Sequence, residues 1–334
     1  MKQYNVYAIG TALIDLQYQL NFMRDLGVHL DPGGTNLLNQ EQEEQLSNRL
    51  SDIAPMQSCG GSSGNTLSVT RSLGGKVFCT CKVGPDAAGD YYYRDLREQN
   101  IETSLATCAR AEARTGKCII AILPDADRVL NSFFGANAFI TLDDINQSAL
   151  KNSQYLFIES FLSIAPQSKA TIIAVKKIAK AAGCKIVLTF TTCRPPDITR
   201  ENLISMVDDG VDLLFCNEFE AKYYCDSNDL EIIKEKLKSA AKQFVITLGK
   251  QGALLYDGMR FHEVSGYPVT PIDTTGAGDV FCGAFLYAIT HGSSFVQAGD
   301  FACYAASKVV THYGARLKKS AYAEIAQHFE LALS

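Results

Sequence analysis

The sequence predicts an α/β fold with a doubly wound, mostly parallel sheet and a small β layer inserted in two pieces. Short apolar, β-rich runs alternate with amphipathic helical patterns along most of the chain. The runs are apolar on both faces, as strands covered by helices on both sides require. Two regions break the alternation and predict the inserted layer. With 334 residues, 47% of them apolar, the chain can bury one substantial core.

Seven apolar runs are predicted to be strands. They are Asn5–Gly10, Val77–Val83, Cys118–Leu123, Tyr155–Glu159, Lys185–Phe190, Val211–Cys216 and Phe244–Leu248. Helices are predicted for Lys169–Ala182, which Gly183 ends, and for Ala277–Ile289, where apolar residues recur at i, i+3 and i+4. This order of elements is typical of a sheet wound from strand–helix units.

The two interrupting regions have strand-like patterns of their own. Leu16–Asp52 begins like a strand, passes a turn at Asp31-Pro-Gly-Gly34 and continues as a polar helix, Gln40–Asp52. Ala106–Asn137 alternates like paired strands around the turn Pro124–Asp127. We therefore predict that both regions join one small sheet.

We call this predicted layer the lid and assign it residues 16–57 and 106–137. The core is then built from 1–15, 58–105 and 138–334. Neither a repeat nor a linker separates these segments, so the sequence does not indicate an independent second domain.

Composition excludes several classes of function. A net charge of −5 provides no basic surplus for nucleic acid. No apolar run approaches the 18 residues of a membrane span. The start, MKQYNVYAIG, reads as a first strand rather than a signal peptide. The eleven scattered cysteines lack metal-ligand spacing, so we expect reduced thiols and a cytoplasmic protein. Together with the charge and the short apolar runs, this predicts no nucleic-acid or membrane partner.

The strongest chemical signal is Asp273-Thr-Thr-Gly-Ala-Gly-Asp279, which opens the predicted helix. Small residues at Gly276, Ala277 and Gly278 leave backbone N–H groups exposed at the helix start, which suits a transferring phosphoryl group. The helix dipole favours the ionised form of Asp279, and a carboxylate beside such a cradle can accept the proton of an alcohol. The alternative interpretation is a Thr-capped helix with an ordinary acid in its first turn.

Two motifs together resemble a known family. The sequence D-T-x-G-A-G-D is similar to the C-terminal signature of the ribokinase (PfkB) family. Gly60-Gly-Ser-Ser-Gly-Asn65, followed by Leu73-Gly-Gly-Lys76, resembles its N-terminal signature. Both occur in the expected order, and the similarity extends across essentially the whole chain. The resemblance implies a ribokinase-like fold and phosphoryl transfer to an alcohol.

Within that family, the chain looks most like the adenosine-kinase branch. Thr115–Cys118, Asp127–Arg128 and Gly135–Asn137 are similar to the lid of that branch, and Phe161–Pro166 follows a strand as it does there. The lid also carries two aromatic residues, Phe133 and Phe134. Together with Phe161 they could form the apolar wall of a nucleoside pocket, and core packing is the alternative for each of the three.

The family pattern assigns acceptor residues to this chain. An Asp near the end of the first strand and the Asn of the glycine-rich motif hold substrate hydroxyls in the family, and Asp15 and Asn65 are the matching positions. The residue types agree, because a carboxylate accepts from hydroxyls while an amide both donates and accepts. Gly60 and Gly61 would form a joint between core and lid, and Arg128 matches an arginine that meets the phosphates.

The nucleotide side is assigned in the same way. Asn217-Glu-Phe-Glu220 resembles the N-x-x-E element that organises Mg²⁺ through water, and it is also a helix capping box, so both interpretations stay open. Thr247-Leu-Gly249 and Gly252 are similar to a nucleotide-contacting turn, and Thr275 lies beside the cradle. The resemblance implies ATP and Mg²⁺ and leaves a monovalent cation open.

Two positions depart from the adenosine-kinase pattern. Thr11 stands where that pattern has Asn, and Thr191-Thr192-Cys193 replaces a typical Ser-Asp-Pro after the strand Lys185–Phe190. Thr offers a hydroxyl but not an amide's two-way contact. Both departures concern the acceptor rather than the phosphoryl-transfer residues.

The sequence therefore predicts an ATP-dependent kinase that phosphorylates a primary hydroxyl of a ribose-containing substrate, with a purine nucleoside favoured. The alternatives are a free-sugar kinase acting on ribose, fructose or a sugar acid, and a non-catalytic nucleoside or sugar sensor. The intact Gly276–Asp279 segment argues against the sensor. An oxidoreductase is disfavoured, because no G-x-G-x-x-G follows the first strand. The expected partners are ATP and a small-molecule acceptor, and the protein is expected to be a monomer or a homodimer.

Overall fold

The computed structural model describes residues 2–20, 26, 35–122, 128–191 and 199–333. Its strands are β1 Tyr4–Ile9, β2 Leu13–Gln19, β3 Thr35–Leu38, β4 Met56–Gly60, β5 Val77–Thr80, β6 Glu102–Thr103, β7 Gly116–Ile122, β8 Arg128–Phe133, β9 Ser153–Glu159, β10 Lys185–Thr189, β11 Val211–Asn217, β12 Ala241–Thr247, β13 Gly252–Tyr256 and β14 Phe261–Ser265. Its helices are α1 Gln40–Arg49, α2 Ser62–Ser72, α3 Ala87–Glu98, α4 Gln147–Lys151, α5 Pro166–Ala181, α6 Arg200–Val207, α7 Glu218–Cys225, α8 Leu230–Ala240, α9 Ala277–Thr290, α10 Phe295–Val309 and α11 Lys319–Leu333.

The larger of the two sheets has the order β14-β13-β12-β11-β10-β9-β1-β5-β6. The seven strands from β6 to β12 in that order pair in parallel, and β13 and β14 add an antiparallel edge. The predicted α/β class with a doubly wound, mostly parallel sheet is confirmed. β1 pairs with both β5 and β9, so the chain winds outward from β1 in both directions and leaves a crevice there.

Helices cover both faces of this sheet and divide the core into two layers. Side chains alternate along β1, so Val6 and Ala8 pack with α2, α9 and α10 on one face. Tyr7 and Ile9 point to the other face and pack with α5, α6 and α8. The strands are therefore apolar on both faces, as their sequences predicted.

The smaller sheet has the order β3-β8-β7-β2-β4. The polar helix α1 covers one of its faces through Leu46 and Leu50, which pack near Tyr18, Ile119 and Val129. The other face looks onto the carboxyl end of the large sheet. The predicted strand pair is present as β7 and β8, which are antiparallel.

The small sheet is wider than the lid proposed from sequence. It begins at Leu13 and includes Gly60, so the boundaries at residues 16 and 57 fall inside β2 and β4. These two antiparallel strands are joined to the core by only three residues before β2 and one residue after β4, which explains why no pattern change marks the border. The predicted turns at 31–34 and 124–127 lie outside the described residues.

Two further sequence expectations concern helices and thiols. In the described part of the chain, no helix has the length and apolar character needed to cross a bilayer. The ten cysteines in that part are free, and nine of them are buried. This agrees with the expected reduced thiols.

Close packing of α2 against α9 brings the two sequence motifs together. Gly283 makes this possible, because a Cβ at that position would lie 2.5 Å from the carbonyl oxygen of Thr66 and 2.7 Å from the Cβ of Val69. The hydroxyl of Thr70 also donates to the carbonyl of Gly283, at 3.0 Å. The two helices thus touch backbone to backbone.

We predict that Gly283→Ala lowers the free energy of unfolding by about 1–3 kcal/mol, because the helices must separate to admit the methyl group. Alanine favours a helix by about 1 kcal/mol over glycine, so a net loss isolates the clash. Urea unfolding measures it. Gly278→Ala in the same helix is the control, since its methyl would meet nothing within 4 Å. Equal midpoints for the two variants would show that α2 and α9 separate without cost.

Candidate active site

A cleft of about 680 Å³ lies between the two sheets. Its floor is formed where the parallel strands of the large sheet end, the usual ligand position in open α/β sheets. Its roof is the inner face of the small sheet. Residues from both sequence motifs line it, including Asn65 and Asp279.

Asp279 lies in the first turn of α9 and lines the cleft. The hydroxyl of Ser62 donates to one carboxylate oxygen at 2.6 Å, and the amide of Asn65 donates to the other at 2.9 Å. Burial raises the pKa of Asp279, while these two hydrogen bonds and the positive charge of Arg316 act to lower it. The carboxylate is held in a fixed position with donors that favour its ionised form.

The start of α9 forms an N–H cradle next to Asp279. Gly276 has a left-handed backbone, with φ 76°, and a Cβ there would lie 2.5 Å from the Cβ of Ala315. Only glycine fits this conformation and this close approach. The N–H groups of Gly278 and Asp279 donate to no other residue in the described part of the chain. They are available to an anion in the cleft.

Asp273 holds the loop that precedes the cradle. Its carboxylate is 2% exposed and accepts from the backbone N–H of Thr275 at 2.8 Å and of Gly314 at 2.7 Å. These bonds tie the loop to the turn after α10. The first residue of the C-terminal motif therefore has a structural function in fixing the cradle.

Asp15 projects from β2 into the roof of the cleft. Gly60 on the neighbouring strand makes room for it, because a Cβ there would lie 2.2 Å from a carboxylate oxygen of Asp15. Within the described ranges, this carboxylate accepts no hydrogen bond. Burial raises the pKa of Asp15 to about 7, with a smaller opposing effect of Arg316 and a further increase from Asp279. Asp15 is thus a buried hydrogen-bond acceptor that has no donor among the described residues.

Glu159, at the end of β9, is a cleft residue that sequence reasoning missed. Its carboxylate accepts from the backbone N–H of Thr11 and, at 3.2 Å, from that of Ser63. It therefore joins the connection between β1 and β2 to the start of α2. Burial raises the pKa of Glu159 to about 7, against the lowering effect of these hydrogen bonds. The sequence did contain one signal for Glu159 as a cleft residue, because a charged residue ends a buried strand there.

Asn65 contacts protein groups at both ends of its amide. Arg316 donates from Nε to the amide oxygen at 2.9 Å and from Nη1 to Asp95 at 2.6 Å. The amide nitrogen donates to Asp279, as described above. Arg316 lies in the segment between α10 and α11, where no motif pointed to it.

Asn217 and Glu220 form the predicted capping box at the start of α7. The Asn217 side chain accepts from the Glu220 N–H at 2.9 Å, and the Glu220 carboxylate accepts from the Asn217 N–H at 2.8 Å. Both residues also line the cleft. The capping interpretation is present in the structure and is compatible with a second function toward a ligand.

The other nucleotide-side positions divide into two groups. Thr247 and Thr275 line the cleft. Gly249 and Gly252 form the turn between β12 and β13, with φ of 58° and 101°, and stand outside the cleft wall. A Cβ on Gly252 would meet the carbonyl oxygen of Val264 at 2.0 Å, so only glycine lets the backbone lie this close to Val264.

Apolar and polar side chains both line the roof of the cleft. Phe161 lines the cleft and packs edge to face on Phe134, with ring centroids 5.4 Å apart. Phe134 and Phe133 are buried and lie outside the cleft wall, which matches their core-packing interpretation. The roof is instead formed by residues of β2, β7 and β8: Leu13, Asp15, Cys118, Ile120, Leu130 and Ser132.

Two sequence assignments fall partly beyond the described residues. Arg128 begins β8, and its side chain lies outside the description. Thr191 lines the cleft, whereas Thr192 and Cys193 are outside the described residues. Thr11 lines the cleft and is held through its backbone by Glu159.

Comparison with known proteins gives consistent findings. A family profile described as "pfkB family carbohydrate kinase" matches residues 40–321. A ribokinase of Staphylococcus aureus is 28% identical over 85% of this chain and 93% of its own.

Two solved structures agree closely. A probable sugar kinase from Rhizobium etli superimposes with a TM-score of 0.88 at 25% identity, covering 99% of this chain and 100% of that one. An adenosine kinase from Sinorhizobium meliloti does so with a TM-score of 0.86 at 26% identity, covering 97% and 99%.

We predict that the free energy of unfolding falls as the pH rises from about 5 to 7 and levels off above it. Asp15 and Glu159 have folded-state pKa values raised to about 7 from 3.8 and 4.5, so the folded protein binds more protons across this window. One pKa unit is about 1.4 kcal/mol, so each group accounts for roughly 2–4 kcal/mol. Urea unfolding at several pH values measures the loss. Asp15→Asn should reduce the loss of unfolding free energy with rising pH by the contribution of Asp15. If the free energy depended on pH equally in both proteins, the raised pKa of Asp15 would be contradicted.

Proposed function

The chain belongs to the pfkB family of carbohydrate kinases and is a phosphotransferase with an alcohol acceptor, and from this we propose that it transfers the γ-phosphoryl group of ATP to the 5′-hydroxyl of a purine nucleoside. Its relatives show that it is a sugar or nucleoside kinase. The choice of nucleoside and of ATP is our proposal.

The observation that carries the proposal is the position of Asp279. It adjoins the N–H cradle of α9 and lines the same cleft as Asp15, whose carboxylate accepts no hydrogen bond from the residues described. An acceptor whose ring hydroxyls donate to Asp15 would bring its primary hydroxyl toward Asp279. A phosphoryl group seated on the cradle would then face that hydroxyl.

In the proposed reaction the acceptor hydroxyl attacks the γ-phosphorus of ATP. A new O–P bond forms, the bond from the γ-phosphorus to the β–γ bridging oxygen breaks, and ADP leaves. Asp279 accepts the hydroxyl proton as general base. The N–H groups of Gly278 and Asp279 donate to the transferring phosphoryl oxygens and stabilise the charge that spreads over them.

The residues present fit a Mg²⁺ that is held mainly by phosphates and water. The described residues contain no group of three His, Cys, Asp or Glu side chains arranged for a metal. Mg²⁺ commonly keeps several waters and uses one or two carboxylates, so Glu220 with Asn217 at the cleft wall would hold it through water. When bound, it would neutralise charge on the phosphates.

The apolar part of the cleft lining favours a nucleoside over a free sugar. Leu13, Ile120 and Leu130 of the roof and Phe161 all line the cleft and offer apolar surface for the flat face of a base. Stacking on an aromatic ring such as that of Phe161 is worth about 1–3 kcal/mol per base. A free sugar has no such face to bury. The similarity to a ribokinase over most of the chain keeps the free-sugar kinase as the second candidate.

We predict that Asp279→Asn lowers kcat by about 10²–10⁴-fold, since the general base is lost. The dissociation constant for ATP should stay nearly unchanged because the backbone cradle remains. Steady-state kinetics and ATP titration measure the two effects. Asp90→Asn is the matched control, because Asp90 is also an acid in the first turn of a helix, α3, outside the cleft. If Asp279→Asn kept wild-type turnover, Asp279 would not be the general base but only an acidic residue in the first turn of a helix.

The acceptor is tested with a panel of substrates. We predict a higher kcat/KM for adenosine or another purine nucleoside than for ribose, fructose or a sugar acid. Leu130→Ala should lower kcat/KM for the nucleoside by about tenfold, because aliphatic contact with the base worth about 0.8 kcal/mol per buried CH₂ is lost, and leave that for ribose unchanged. A free sugar that exceeds every nucleoside by tenfold would establish the free-sugar kinase instead.

A further inference from the structure

We propose that Arg316 is a positioning residue for Asp279, which it controls through the amide of Asn65. The inference rests on the proposed function, in which Asp279 is the base. Arg316 is absent from the cleft wall, so it does not contact the reacting groups directly. It acts from behind Asn65.

Four side chains from separate parts of the chain form a continuous series. Asp95 on α3 accepts from Arg316 Nη1 at 2.6 Å, and Arg316 Nε donates to Asn65 on α2 at 2.9 Å. Asn65 Nδ2 donates to Asp279 on α9, also at 2.9 Å. Each link has ordinary hydrogen-bond length.

The chemistry of these groups fixes the direction of the Asn65 amide. A guanidinium has only donors, so the atom that meets Arg316 must be the amide oxygen. The amide NH₂ group must then face Asp279. If the amide were rotated by half a turn, its oxygen would face the carboxylate, and the ionised form of Asp279 would be repelled. Arg316 thus selects the amide orientation that a general base needs.

Arg316 also supplies positive charge close to two buried carboxylates. Burial is the main effect on Asp279 and on Asp15 and raises both pKa values, while Arg316 acts to lower them. Its guanidinium is held by Asp95 in a half-buried ion pair. Removing this charge should therefore raise the pKa of the base and of the acceptor-binding acid together.

Gly64, which directly precedes Asn65 on α2, makes room for a tyrosine beside Arg316. A Cβ on Gly64 would lie 2.5 Å from the hydroxyl of Tyr92, whereas its distance of 3.5 Å from Nη2 of Arg316 would be an ordinary contact. This glycine of the motif is therefore required by the packing of Tyr92 behind the cleft.

The test is the pH dependence of kcat in the full chain. Arg316→Gln should lower kcat at pH 7 by about 10–100-fold and move the midpoint of the acid limb upward by about one pH unit, so part of the activity returns at higher pH. Affinity for ATP should not change. Arg316→Lys keeps the charge but loses the planar fork that bridges Asn65 and Asp95, so its midpoint should move less.

A matched control removes an equally short ion pair elsewhere. Arg110→Gln breaks the 2.6 Å contact with Asp90 at the surface and should keep the wild-type pH profile. If Arg316→Gln fails to fold, Asn65→Asp tests the same point. It keeps an acceptor for Arg316 and replaces the donor facing Asp279 by a like charge, so the midpoint should again move upward.

The outcomes separate this inference from the proposed function. An upward midpoint in Arg316→Gln or Asn65→Asp, with an inactive Asp279→Asn, supports both. A reduced kcat with an unmoved midpoint overturns the positioning inference and leaves Asp279 as base. Full activity of Asp279→Asn overturns the base itself, and the inference with it.

Discussion

The contact between the first turns of α2 and α9 is the constraint on which the cleft depends. A carboxylate that is buried in a cleft loses water and must find donors, or it takes up a proton. Ser62 and Asn65 supply those donors to Asp279, at 2.6 and 2.9 Å. The distance can be this short because Gly283 lets the two helices touch. The two sequence motifs are thus halves of one structural unit, and neither could place the carboxylate alone.

Local chemistry explains what the sequence predicted well. Buried strands such as β10 and β11 are short apolar runs between helices, so period and length identify them without tertiary information. The cradle at the start of α9 is equally local, because Gly276 and Gly278 determine the backbone there. The antiparallel edge formed by β13 and β14 was not predicted, since β14 carries polar residues at His262, Glu263 and Ser265 and β13 begins at Gly252, which the sequence assigned to a turn.

Contacts between distant residues could not be predicted in this way. Arg316 meets Asn65 across 251 residues, and an isolated arginine in a loop gives no signal for that pairing. The orientation of β8 shows a different limit. Leu130 faces the cleft while Phe133 faces away, because strand residues alternate between faces, and the sequence does not reveal which face is the roof.

Three of the carboxyl groups that line the cleft have different hydrogen-bond partners. Asp279 has two side-chain donors and Glu159 has two backbone N–H groups. Asp15 has no donor among the residues described, and its pKa is raised to about 7. In the proposed reaction the acceptor's own hydroxyls supply the missing donors, which favours the ionised form of Asp15. The carboxylate of Asp15 would then have hydrogen-bond donors only when an acceptor is bound. The substrate itself would supply the hydrogen bonds that this part of the small sheet lacks.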